Sequence, residues 1–443
     1  MHLIHQIFHD HFNCAPTVVA SAPGRVEVIG NHTDYNGGTV VGACVEKRLF
    51  VALRLRKDQQ IRLFSQNEAE LVETSVRSYT TETLPHWTSY ALGVFDEFRM
   101  LGSHDLGFDL AINSAIPTGE GLSSSAAFEM ATALAFNKIL GLNLPMAALV
   151  LLSHRAENRY VGVPCGLLDQ TVVGFGKTNS LIVLDASSGR HHVFQIAEAA
   201  RLFIFRTHIR HELRHSPYEV RHRECRNALI ALSKVIPGIR HLAHLHPSDI
   251  KAYDIIMDEV LVRRARHVIE EQRRVGAFLG ALHAGNLSAA GQFLNASHHS
   301  SRSLFENSSP ELDFLVSQLC AKESVFGARL SGAGWGGAAV ALTSPAFTSV
   351  DAEQVVDAYE TNFEARPGWW TTTIGPGAMI HEEDGIHNEE GIHEEDGVNE
   401  EDGVNEEDGV RTEEKVEKPS KVQSKNRTQK KAENKPTKDP EVE

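Results

Sequence analysis

Cysteine is scarce: five in 443 residues, an odd number, nowhere spaced Cys-x-x-Cys. That excludes a disulfide framework and a cysteine zinc knuckle, and it fits a reducing compartment. There is no run of about 18 apolar residues, and the opening MHLIHQIFHDHF puts His and Asp where a secretory segment needs a basic start and an unbroken apolar stretch. A soluble, unprocessed, cytoplasmic chain with no membrane partner is expected. Positive charge is also lacking. Lys and Arg number 43 against 58 Asp and Glu, a formal charge of −15. Residues 381–443 hold 21 acidic and 10 basic side chains, leaving 37 against 33, or −4, in the first 380. No large basic face for duplex nucleic acid remains.

What is present is an ordinary globular body, 42% hydrophobic overall and long enough for two or three domains. Its sharpest break is near residue 380, where HEEDGI, HNEEGI, HEEDGV, NEEDGV and NEEDGV run over residues 381–410 with 14 acidic residues and no Lys or Arg. One apolar residue per hexad cannot offset the cost of ordering the chain, so residues 381–443 are expected to be a disordered tail. Calcium binding by these carboxylates lacks the EF-hand spacing and its closing Glu. Within the body, β-rich stretches such as Leu49–Leu55 and Leu181–Leu184 alternate with helical patterns such as Ala126–Leu140 and Met146–Ala156. The sequence divides into 1–180, 181–380 and 381–443, with mixed α and β in the first two.

Three stretches carry chemistry. Pro117-Thr-Gly-Glu-Gly-Leu-Ser-Ser-Ser-Ala-Ala127 precedes a strongly helical segment, so its glycines and hydroxyls flank the unpaired N–H groups of a first helical turn. An anion suits that place, although a Gly/Ser turn caps many helices with no ligand at all. Gly174-Phe-Gly-Lys-Thr178 has the wrong glycine spacing for a P-loop, and Gly332-Ala-Gly-Trp-Gly-Gly337 runs into a strand, which deprives the dinucleotide fingerprint of its helix. In Ala22-Pro-Gly-Arg-Val-Glu-Val-Ile-Gly-Asn-His-Thr-Asp-Tyr-Asn-Gly-Gly38 a short strand bearing Arg25 enters a polar turn. Paired donors and acceptors of that density suit a polyhydroxylated ligand, though a turn of Asn, Asp and Gly also stands alone. In the third stretch, Arg155 to Gln170, Glu157 sits near a helix end and Asp169 follows Gly-Leu-Leu. A carboxylate in apolar surroundings is paired or functional, and a structural ion pair with an arginine meets the same need.

Together these stretches and Gly327-Ala-Arg-Leu-Ser-Gly-Ala-Gly-Trp-Gly-Gly337 resemble, in order, the four motifs of the galactokinase branch of the GHMP kinase superfamily, over about residues 18–380. The resemblance implies an α+β fold of two domains, the first like domain 2 of ribosomal protein S5 and the second ferredoxin-like. It implies a kinase that moves a phosphoryl group from ATP to O1 of D-galactose, acting as a monomer. Asp169 would be the base and Arg25 the stabiliser of charge, with Mg2+ on Ser125 and Glu157. The sugar would meet Asn31, His32, Thr33, Asp34, the Gly166 backbone and Tyr218. ATP would lie along Gly119, Glu120, Gly121, Leu122, Ser123, Ser124 and Ser125, with Trp87 and Tyr90 as the aromatic pair for adenine. Non-catalytic sugar sensors related to this family lack two residues after the serine run, whereas Ala126 and Ala127 are kept here. A third reading makes the acidic tail an interaction arm. His208, His211 and His215 have helical spacing, but no further metal ligand is evident in the sequence.

Two positions depart from the family signature. Asn is usual at position 27 and Glu at position 31, where this chain has Glu27 and Asn31. In the family the position-31 carboxylate accepts from the hydroxyl on the sugar's sixth carbon. Two readings stay open: a compensated swap, or a different sugar such as galacturonate or N-acetylgalactosamine.

Overall fold

Strand β1 (Val18–Ile29) is buried along its whole length, which requires a strand on each side of it. The computed structural model, which describes residues 2–80, 83–102, 106–117, 121–197, 200–209, 217–249, 257–372 and 374–382, supplies both. β2 (Thr39–Leu55) pairs antiparallel on one side and the short β12 (Met379–His381) on the other. Pro23 cannot donate to a ladder, and the β1–β2 register shifts between Pro23 and Arg25 and again between Glu27 and Ile29. Such bulges re-aim side chains. Here they bracket Arg25 and Glu27.

The first sheet continues with β5 (Phe108–Ser114), β3 (Gln60–Ser65) and β4 (Glu70–Ser75), in the order β12-β1-β2-β5-β3-β4. β6 (Ser180–Asp185) pairs with the start of β2, and β7 (Arg190–Gln195) pairs with β6. The first sheet therefore extends past residue 180. Helix α1 (His2–Phe12) packs on this sheet through Ile4, Ile7, Phe8 and Phe12, one face at helical spacing. The second sheet is wholly antiparallel, ordered β11 (Gly368–Thr372), β8 (Arg201–Arg206), β10 (Ala338–Thr343), β9 (Val325–Ser331). The change of sheet falls between Gln195 and Arg201.

Helix α3 (Ser124–Ile139) is buried on every side from Ala126 to Phe136. A helix so enclosed needs small residues, and Ala126, Ala127, Ala131, Ala133 and Ala135 let β1, β2, α2 (Thr88–Met100), α4 (Met146–Ala156) and α5 (Leu168–Phe175) close around it. In the C-terminal half α6 (Pro217–Ser233), α7 (Glu259–His283) and α8 (Leu287–Ser300) stack in turn, and α8 lies on β9. Helices α9 (Pro310–Cys320) and α10 (Ser349–Phe363) lay Leu312, Leu315, Val355 and Tyr359 against Phe203 and Phe205 of the second sheet.

His381, the first residue of the hexad repeats, belongs to β12: it lies opposite Val19, and its Nε2 is 2.7 Å from Ser21 Oγ. The rest of the tail from residue 383, together with Gly119, Glu120, His211 and His215, lies outside the described residues. No helix among the described residues is long and apolar enough to cross a membrane.

Candidate active site

Arg25 and Asp169 are 144 positions apart in sequence and in direct contact in space. Arg25 Nε and Nη2 each lie 2.6 Å from Asp169 Oδ1, and Nη1 donates to the Gly121 carbonyl at 2.7 Å. The Ser123 hydroxyl donates to the other oxygen, Asp169 Oδ2. Asp169 opens α5, and Ser123 immediately precedes α3 with φ +50°, a left-handed backbone uncommon outside glycine. The Ser123 side chain makes no capping bond to α3, and Ser123, Ser124 and Ser125 at the helix start border the same space as Asp169.

That space is a cavity of about 580 Å³ walled by both halves of the chain. From β1 and its following turn come Arg25, Glu27, Asn31, His32 and Asp34; from the opposite half come Tyr218 and the Ser331–Gly337 segment. Gly166 is a fixed point of the wall: a Cβ there would lie 1.8 Å from Asp34 Oδ2. Burial pushes the Asp34 carboxyl up to about 7, with Glu27 and Asp169 adding to the rise against the Tyr35 N–H and Arg25. The folded protein then holds more protons at this group than the unfolded chain between about pH 4 and 7. Its contribution to stability is full at low pH and is lost as pH rises through 7. Hydroxyl donors of a bound ligand would favour the ionised form, so KM for a polyhydroxylated ligand that meets Asp34 should rise about tenfold between pH 8 and pH 6, with kcat at saturation unaffected by this group. Initial rates across that range, with D34N as the control that flattens the KM profile, check it.

The neighbours of Asp34 are committed differently. His32 Nε2 donates to the Ala333 carbonyl at 3.0 Å and Nδ1 lies 2.9 Å from the Tyr35 hydroxyl, so the ring is the neutral tautomer with both nitrogens engaged. Burial lowers its pKa to about 3. The Thr33 hydroxyl is shared between the carbonyls of Gly30 (2.7 Å) and Thr39 (2.9 Å), closing the turn away from the cavity. Asn31 is saturated: Nδ2 donates to Glu27 Oε1 (3.0 Å) and the Gly332 carbonyl (2.8 Å), while Oδ1 accepts from Ser301 (3.0 Å) and Asn307 (2.8 Å). Of the exchanged pair, Glu27 keeps capacity toward the cavity. Its Oε1 also receives Arg329 Nη1 at 2.9 Å, from an arginine with no exposed surface.

The turn is also held from behind. Glu271 on α7 accepts from the backbone N–H of Gly30 (3.0 Å) and Asn31 (3.1 Å), from Ser297 (2.6 Å) and from Arg274 (2.7 Å). Burial alone would raise its pKa, but Arg274 and the other positive and donor groups bring it down to about 2, so it stays ionised.

Glu157, in a single π-helical turn after α4, is buried and accepts from Gln170 Nε2 at 2.5 Å, from Cys165 Sγ at 3.3 Å and from Ser125. Burial raises its pKa, and the Asp169 charge adds to that. Trp87 stands outside the cavity wall, its Nε1 bonded to Glu70 Oε2 at 2.8 Å, whereas His86 and Tyr90 of the same turn line the wall with ring centroids 5.6 Å apart. Cys165, His86 and Ser331 were not legible as site residues in the sequence. The 332–337 glycines belong to the fourth motif of the resemblance, and they line the cavity wall. The Oγ of Ser331 receives the Glu27 N–H at 3.0 Å. Of the three spaced histidines only His208 is described, and its Nδ1 lies 3.0 Å from the Tyr359 hydroxyl.

The chain matches three families: residues 6–55 the galactokinase galactose-binding signature, residues 89–177 the GHMP kinases N terminal domain, and residues 278–365 the GHMP kinases C terminal domain. Among curated relatives, galactokinase of Roseiflexus sp. (strain RS-1) is 34% identical over 359 residues, 80% of this chain and 90% of the relative. Galactokinase of Enterococcus faecalis is 36% identical over 379 residues, 84% and 97%. The crystal structure of Lactococcus lactis galactokinase complexed with galactose superposes with a TM-score of 0.81 at 32% identity, covering 85% of this chain and 99% of that one. Mevalonate kinase of Methanococcus jannaschii, at 16% identity and a TM-score of 0.58, shares the fold. The two-domain fold, the ordered motifs and relatives matched over nearly their whole length agree: the chain is an enzyme, a kinase, and belongs to the galactokinase family of the GHMP kinases.

Proposed function

We propose that this chain phosphorylates D-galactose at O1 with ATP, giving α-D-galactose 1-phosphate and ADP. The observation that carries the reading is Asp169, gripped by Arg25 on one oxygen and Ser123 on the other, between the polar sugar turn and the uncapped start of α3. The sugar's reducing end would meet Asp169, which accepts the O1 proton as that oxygen attacks the terminal phosphorus. Arg25 holds the acceptor in place and offsets charge that develops beside it. The triphosphate would lie along Gly121–Ser125 at the N-terminus of α3, where N–H groups and the helix dipole favour an anion. The base would stack toward His86 and Tyr90 rather than Trp87.

The residues present fit Mg2+. Ser125 and Glu157 are hard oxygen donors already in contact with each other. An ion there would take its other ligands from phosphates and water. When bound, the ion would supply charge neutralisation to the phosphates, with Ser125 and Glu157 holding it there. We take residues 2–195 with Met379–His381 as the first domain and 201–372 as the second, a monomer in the cytoplasm.

At the far end of the sugar, Glu27 replaces the family's carboxylate from four residues away. Asn31 and Arg329 fix one of its oxygens and leave the other toward the cavity, which supports the compensated exchange over a change of sugar. A coupled assay of ADP release should therefore show galactose turned over, with galacturonate at least about tenfold poorer because a second carboxylate meets Glu27. Robust galacturonate phosphorylation with negligible galactose activity would sink this reading.

A further inference from the structure

Beneath Glu157 lies a group that the reaction as described does not use. Glu129, on the second turn of α3, has no exposed surface, and neither has Gln170 on α5. Gln170 Nε2 serves two carboxylates at once, Glu157 Oε2 at 2.5 Å and Glu129 Oε2 at 3.1 Å. The remaining oxygens of this pair, Glu129 Oε1 and Gln170 Oε1, are both buried and neither has a hydrogen-bond partner. Two unsatisfied acceptors in a dry interior each carry a desolvation penalty, and native proteins seldom leave such atoms alone.

One proton resolves both. A carboxylic acid facing a primary amide closes a ring of two hydrogen bonds, O–H to the amide oxygen and amide N–H to the acid carbonyl, and the second bond is already in place. We propose that Glu129 is a positioning residue of the kinase: as the neutral acid it donates from Oε1 to Gln170 Oε1 and accepts from Gln170 Nε2, and the closed pair aims the second Nε2 hydrogen at Glu157 Oε2. This rests on the reading of Glu157 as the group that faces the metal with Ser125. The electrostatics agree. Burial raises the pKa of Glu129 well above the ordinary value, and the carboxylates Glu157 and Asp169 add to that. An ionised Glu129 would leave two carboxylates sharing one amide nitrogen. The neutral acid removes that repulsion and keeps Gln170 in a single rotamer, since turning the amide over would set its NH2 against the acid's O–H and take its donor away from Glu157.

The test separates this role from general support of the core. In E129Q the new amide still donates to Gln170 Oε1 and accepts from its Nε2, so half-saturating Mg2+ and kcat should stay within about threefold of wild type. E129L and Q170L remove the ring. Losing a hydrogen bond to a charged group, about 1.5–3 kcal/mol, should raise half-saturating Mg2+ about tenfold or more, with KM for galactose changed less than about twofold. Thermal unfolding of each variant identifies any that is merely unfolded, and Q170L stands in if E129L does not fold. Independently of turnover, the infrared spectrum of the metal-free protein at pH 8 should contain a protonated-carboxyl C=O band that E129Q lacks. Absence of that band, or E129Q as damaging as E129L, overturns the acid–amide pair. If the band is present but E157Q leaves the magnesium response unchanged, the reading of Glu157 fails and the positioning role fails with it.

Discussion

D169N should lower kcat by about a thousandfold while KM for the sugar stays within about threefold. Asparagine has nearly the same shape, and its Oδ1 keeps an acceptor for Arg25 at the place where Nε and Nη2 both converge. Its amide nitrogen would face the Ser123 hydroxyl, which is able to accept as well as donate. The grip on the side chain therefore survives, and what disappears is the lone pair proposed to take the O1 proton. A positioned proton acceptor is worth about 10²–10⁴ in rate. The check is steady-state kinetics at saturating ATP together with a thermal unfolding curve. A variant that folds normally and turns over at the wild-type rate would remove Asp169 from the chemistry.

The second large effect belongs to a residue with no functional group. In G166A the added methyl would fall 1.8 Å from Asp34 Oδ2 and 2.4 Å from its Cγ, so the carboxylate has to swing off the sugar. Asp34 has a short side chain that turns about one bond, which lets the clash resolve without disturbing the core. Loss of a hydrogen bond from a ligand hydroxyl to a carboxylate is worth about 1.5–3 kcal/mol, so KM for galactose should rise about 10- to 100-fold. KM for ATP and the unfolding temperature should hardly move. In a double-mutant cycle with D34A, which removes both clashing atoms, G166A should add little to the effect of D34A, and that non-additivity would support the steric account. An unchanged KM in G166A would refute it.

Both effects concern residues that the sequence marks plainly, and the reason is local. Helical periodicity places α3 and α4 within about two residues, and a Gly/Ser run before the first of them signals a helix start that welcomes an anion. The order of Arg25, the serine loop and Asp169 along the chain is enough to recognise the family. What stayed hidden depends on partners hundreds of positions away. Asn31 reads as a sugar contact from its neighbours, yet its amide is filled by Glu27, Ser301, Asn307 and Gly332. Glu271 gives no local sign that it holds the Gly30–Asn31 turn, because an acidic residue on an arginine-rich helix looks like any solvated face. Trp87 and Tyr90 share a helical spacing that suits one stripe, but Glu70 draws the indole away from the cavity. The extra pair of strands at Ser180–Gln195 was missed as part of the first sheet for the same reason: strand pairing is non-local, and only the ladder with β2 reveals it.

The short strand at Met379–His381 bears on how the protein should be trimmed for crystallisation or labelling. The composition changes at residue 381, so a cut just after Ile380 looks natural, but it would take away the imidazole beside Ser21 and leave Val19 facing nothing along the rim of the sheet. An uncovered rim is a template for another molecule's backbone. Keeping the chain through Glu382 spares that seam, and a shortened protein that clumps when it ends at Ile380 but stays dispersed when it ends two residues later would show where the folded body stops.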